Sequence, residues 1–118
     1  MKSARLEEMT KGWIVGDFVP AVLNSTAMEV AIKHYRCGDR EALHHHKVAT
    51  EVTAIVSGHV TMCGRNWGPG DVITIEPGEA TAFTALTDAV TVVVKAPSVK
   101  DDKFSGEVPP HERSSTRL

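Results

Sequence analysis

The chain has 118 residues, room for one domain with one core and not for two. At 42% hydrophobic and 24% charged residues, its composition is globular rather than disordered. A net charge of −2 gives no electrostatic basis for binding nucleic acid or an anionic membrane, and no apolar run is long enough to cross a bilayer.

In chain order, residues 1–8 hold no apolar stretch of the kind a secretory leader requires, so a cytoplasmic protein is expected. The first ten residues are the one helical candidate. From Gly12 to Pro97, short β-branched runs alternate with turn residues, the rhythm of an all-β barrel or sandwich. Strands are predicted at 13–18, 28–36, 43–46, 51–56, 59–62, 72–76, 81–86 and 89–95. Turn residues such as Gly38-Asp39, Ser57-Gly58, Gly68-Pro69-Gly70-Asp71 and Pro77-Gly78 separate them. Alternation puts Met28, Val30 and Ile32 on one strand face and Glu29 and Lys33 on the other. Residues 90–94 are apolar on both faces apart from Thr91, as in a strand covered on both sides, and a homodimer is expected to cover the outer one.

After Pro97 the composition turns polar, which predicts a barrel domain over 1–97 and an irregular tail over 98–118, strap first and mobile end after. Residues 100–103 read as a solvated mixed-charge segment. Cys37 and Cys63 stand far apart with no C-x-x-C pairing, and are expected as reduced, mostly buried thiols. Trp13 and Trp67 read as packing or interface residues. Ser57-Gly58 lacks the helix of a nucleophile elbow, and Gly68-Pro69-Gly70 lacks the lysine of a phosphate loop.

The segment that carries chemistry runs from Gly38 to Gly58. On a strand, His44 and His46 point to one face, roughly 7 Å apart along the backbone, and His45 points away, outward or into an interface. Glu51 opens the next strand on a face shared with Thr53 and Ile55. Two imidazoles and one carboxylate on one side of a site suit a divalent transition metal: Fe, Mn, Ni or Zn.

The same segment resembles the first motif of the cupin superfamily, G-x5-H-x-H-x3–4-E-x6-G, with Gly38, His44, His46, Glu51 and Gly58 at permitted spacings. The resemblance implies a single jelly-roll, or double-stranded β-helix, barrel that holds one metal ion on His44, His46 and Glu51. The second cupin motif is matched in part. Gly70 and Gly78 align, but Glu76 stands at the usual proline, Thr81 at the usual fourth histidine and Ala85 at the usual asparagine. Thr81 is then a pocket residue able to bond water or substrate, and Thr53 and His34 are further pocket candidates. His59 and His111 are expected in solvent and in the tail.

The resemblance implies a metal-dependent enzyme acting on a small polar molecule, of the isomerase, lyase or dioxygenase type, linked to carbohydrate metabolism. Two alternatives stand beside it. His44-His45-His46-Lys47 is similar to the H-x-H-K stretch of sugar-nucleotide ketoisomerases, in which the histidine pair works as acid and base without metal. The other is a non-catalytic module that binds a small ligand.

Overall fold

A computed structural model describes residues 1–111. Among these residues eleven strands form: β1 Trp13–Gly16, β2 Leu23–Asn24, β3 Glu29–Tyr35, β4 Arg40–His45, β5 Thr50–Ser57, β6 Val60–Met62, β7 Arg65–Trp67, β8 Val72–Ile75, β9 Ala80–Ala85, β10 Ala89–Ala96 and β11 Phe104–Ser105. They pair into two sheets, ordered β2-β1-β3-β10-β5-β8 and β11-β4-β9-β6-β7. The predicted helix at the start is two 3-10 turns, Leu6–Glu8 and Thr10–Gly12. β2, β7 and β11 went unpredicted because two or three residues are too few to show alternation.

The two sheets face each other over a core of Ile55, Ile73, Ile75 and Ala89 from one and Val60, Met62, Phe83 and Ala85 from the other. The inward residues change character along each strand. On β5 they run Glu51, Thr53, Ile55, and on β10 Lys95, Val93, Thr91, Ala89. One end of the barrel is therefore a dry apolar plug, and the other is left for polar groups. Gly58 makes the tight β5–β6 turn at φ +81°, where a Cβ would meet the Asp88 carbonyl oxygen at 2.1 Å. Gly38 takes the same left-handed backbone, at φ +92°, before β4.

Alternation left open which face of β3 is the inner one, and the expectation of mostly buried thiols is corrected. On β3 the polar face is the inner one: Glu29, Lys33 and Tyr35 line the interior beside the fully buried Ala31, while Val30 and Ile32 face out. The outer face continues through Val92 and Val94 of β10 and Val52 and Ala54 of β5, all half-buried. Cys37 and Cys63 are free but exposed.

Residues 98–111 fold onto the barrel in the following way. β11 pairs with β4, Phe104 opposite His45, so His45 is covered rather than facing outward. It is 2% exposed, stacks on Phe104 at 5.5 Å and bonds the Gly106 carbonyl through Nδ1 at 2.7 Å. Within the stretch read as solvated, Asp102 is buried and accepts hydrogen bonds from the backbone N–H groups of Lys47, Val48 and Ala49. The mobile end expected beyond the strap falls in residues 112–118, outside the described residues. No helix among the described residues is long and apolar enough to cross a membrane.

Candidate metal centre

The site begins with an irregularity in β4. Glu41 pairs with Phe83 and His44 with Thr81, so three steps on β4 oppose two on β9. The extra residue is a β-bulge, a device that re-aims side chains beside functional sites. Because of it Glu41, His44 and His46 all face the interior, although strict alternation would turn Glu41 away from the two histidines. The bulge also fixes an imidazole. His44 Nδ1 lies 2.8 Å from the Ala42 carbonyl oxygen and donates to it, leaving Nε2 bare toward the cavity.

His46 follows at the end of β4, its ring 5.4 Å from that of His44 and nearly perpendicular to it. Glu51 comes from β5 across the turn that Asp102 holds. One ligand atom from each of His44, His46 and Glu51 lies within 4.8 Å of the others. Donors about 2.1 Å from one first-row ion and on one side of it stand about 3.0–3.4 Å apart, so side-chain adjustments of up to about an ångström each close the set. Two imidazoles and a carboxylate on one side, with the other side open to a cavity, fit a divalent transition metal.

The surroundings of His46 and Glu51 bear on that donor set. Burial, reinforced by Lys95, lowers the His46 imidazole to about 4, so it is a neutral lone-pair donor at neutral pH. Burial raises the Glu51 carboxyl, opposed by the hydrogen bond from Thr53 Oγ1, 3.1 Å from Glu51 Oε2. A cation beside Glu51 would offset the cost of keeping that carboxylate charged.

The cavity in front of these donors has a volume of about 360 Å³ and opens into a wider groove between β3, β4 and the N-terminal turns. Thr53 and Thr81 both line it. The Thr81 hydroxyl stands across the register from His44 but is engaged elsewhere: it donates to the Ala82 carbonyl and accepts from the Cys63 N–H at 3.2 Å. His34 is exposed on the outer side of β3 and reaches the groove, not the cavity that holds the three donors.

Other wall residues were not predicted as part of the site. Tyr35 donates to Glu41 Oε2 at 2.5 Å and packs on Phe83. Burial and Glu41 raise the Tyr35 phenol, which holds its proton at Oη. Trp13 lies beneath both Lys33 and Lys95, with their Nζ atoms 5.0 and 4.9 Å from its ring centroid. Lys95 also pairs with Glu29 at 3.3 Å. The signal for this wall was the polar face of β3, legible as a face but not as the inner one.

No model of a known family matches the chain, and no curated protein is significantly similar to it. Solved structures do match. A protein with a double-stranded β-helix domain from Klebsiella pneumoniae subsp. pneumoniae MGH 78578 superposes with a TM-score of 0.64 at 20% identity, over 71% of this chain and 74% of that one. A sugar phosphate isomerase of the cupin superfamily from Silicibacter pomeroyi gives 0.55 at 20%, over 59% and 50%. The bacterial pirin YhhW from Escherichia coli, in complex with nickel(II), gives 0.64 at 16%, over 75% and 39%. The fold is therefore the double-stranded β-helix of the cupins, as the first motif implied.

Proposed function

We propose that this chain is a metal-dependent cupin enzyme acting on a small polar molecule, of the isomerase, lyase or dioxygenase type and linked to carbohydrate metabolism. The observation that carries the reading is the convergence of His44, His46 and Glu51 within 4.8 Å on the wall of a cavity large enough for a small substrate. The nickel on the pirin and the sugar phosphate isomerase among the structural neighbours support it as analogies of fold.

In this reading His44 Nε2, His46 and a Glu51 oxygen hold one divalent ion. Once bound, the ion supplies Lewis acidity toward a substrate oxygen. The chain's own groups do the rest. Ala42 and Thr53 orient two of the donors, and the apolar floor of Met62, Phe83 and Val93 keeps bulk water from the far side. Tyr35 keeps its proton on Oη and donates a hydrogen bond to Glu41, which fixes that carboxylate beside the mouth.

The outer face built from Val30, Ile32, Val52, Val92 and Val94 supports a homodimer joined sheet to sheet. A cytoplasmic location belongs to the same proposal.

Elemental analysis tests the metal directly. After incubation with Fe(II), Mn(II), Ni(II) or Zn(II) in turn and desalting, the full chain is expected to retain about one equivalent of at least one, and the His46→Ala and Glu51→Ala variants to lose it. A folded protein that retains none overturns the metal reading and leaves the metal-free isomerase, with the two histidines as acid and base. A protein that retains metal but turns over no sugar, keto acid or dioxygen-dependent substrate is a binding module.

A further inference from the structure

The cavity carries more cationic charge than its carboxylates use. Four lysines (Lys11, Lys33, Lys95 and Lys103) and three glutamates (Glu29, Glu41 and Glu51) line it, in a chain whose net charge is −2. Each glutamate has a partner: Glu29 takes Lys95 and the Ser98 hydroxyl, Glu41 takes Tyr35, and Glu51 takes Thr53. Among the described residues, no carboxylate lies within 4.0 Å of the ammonium of Lys11, Lys33 or Lys103. Lys33 Nζ reaches one backbone acceptor, the Lys11 carbonyl at 3.4 Å.

This arrangement is costly without a counter-charge. Lys33 is half-buried on the inner face of β3, with its ammonium 5.0 Å from the centroid of the Trp13 ring, a contact that offsets only part of the cost of burying the charge. Burial lowers its basicity; Glu41 opposes this, and Lys103, Lys11 and Lys95 lower it further. Three neighbouring cations that raise one another's energy, at the mouth of a low-dielectric cavity, form a focused positive potential. A divalent ion at the back would strengthen it.

We propose that the cavity recognises a small oxyanion, a carboxylate or phosphate monoester on a polar body, held by Lys33 and Lys103 with Lys11 at the rim. The proposal deepens the metal-cupin reading and rests on it for what becomes of the anion, whereas the lysines bind it with or without metal. Lys33 approaches from β3 and Lys103 from the strap, so the anionic group is gripped from two sides of the mouth. The body of the molecule then extends toward His44 and Glu51, and the 360 Å³ of space suits a hexose-sized compound. A neutral analogue leaves the ammoniums unpaired and is rejected.

Titration calorimetry on the full chain, metal-free and nickel-loaded, tests this with glucuronate, glucose 6-phosphate and glucose as probes. At least one of the two anions is expected to bind about tenfold or more tightly than glucose, more weakly as salt is raised; which one binds identifies the oxyanion. Lys33→Met with Lys103→Met should lower that affinity by about tenfold or more with metal content unchanged, and Lys100→Met should not. Lys103→Met alone changes an exposed side chain, cannot unfold the barrel through packing, and should give part of the loss. Equal affinity for glucose and both anions, or anion binding untouched in the lysine variants, overturns the proposal. Anion binding by a chain that retains no metal overturns the metal reading alone; metal retention with no anion binding overturns this proposal alone.

Discussion

Replacing Asp102 with alanine should weaken both the fold and the metal centre, although Asp102 touches none of the three donors. Its carboxylate accepts from Lys47 N at 2.8 Å, Val48 N at 3.2 Å and Ala49 N at 2.9 Å, and the residue is 7% exposed. Water can replace the bonds to the exposed Lys47 and Val48, but Ala49 is 3% exposed and its N–H would be left without a partner. One buried orphan donor plus the lost charge-assisted bonds cost about 3 kcal/mol. With a urea slope of about 1–3 kcal/mol/M, the unfolding midpoint should drop by about 1 M or more. The segment Asp102 holds connects His46 to Glu51, so loosening it should lower metal affinity by about tenfold or more, as loss of an outer support typically does. Asp102→Asn keeps one acceptor oxygen but turns an amide toward backbone donors, and should fall between the two. Urea denaturation with a competitive chelator titration measures both effects. An alanine variant within about 0.3 M of the parent midpoint with unchanged metal affinity would refute the reasoning.

Further outcomes follow from the same geometry. The His46 imidazole has a folded pKa of about 4 against an ordinary 6.5, so in metal-free protein the unfolded chain binds its proton first as pH falls. Its neutral form therefore costs stability progressively from about pH 6.5 down to about 4, by at most about 3 kcal/mol. The raised Glu51 carboxyl gains stability over part of that range, so the test is a difference: His46→Asn should flatten the stability profile relative to the parent. Glutamate in place of Val92, at the centre of the outer apolar face, should convert a sheet-to-sheet dimer to monomer in sedimentation experiments while leaving metal content intact. A parent that sediments as a monomer at all concentrations removes the dimer.

Much of the fold was legible because period-2 alternation and turn chemistry are local properties. The runs at Thr50–Ser57 and Ala89–Ala96 declare themselves as strands without tertiary information. The donor spacing was legible for the same reason: residues two apart on one strand must share a face. What escaped was non-local. The β4 bulge depends on register against β9, and it is what brings Glu41 inward beside His44. The strap was unreadable because an Asp in a run of charges carries no sign of three backbone donors waiting more than fifty positions earlier.

The faces of β3 show why apolar patterning alone does not say which side of a strand is the inner one in this fold. A hydrophobic face is normally assigned to the core, since burial of apolar area is the dominant favourable term. Here the interior near the metal donors must stay polar, so Glu29, Lys33 and Tyr35 turn inward and Val30 and Ile32 are left for the outside. The apolar plug of Ile55, Val60, Phe83 and Ala85 at the other end carries the burial that stabilises the barrel. Its existence is what permits a lysine-rich wall around Trp13, in which Lys95 alone among the described residues pairs with a carboxylate, that contributes little to stability on its own. The same strands thus divide their length between a stabilising half and a chemical half. Substitutions at Ile55 or Val60 should act on folding, whereas those at Lys33 or Glu41 should act on what the cavity holds.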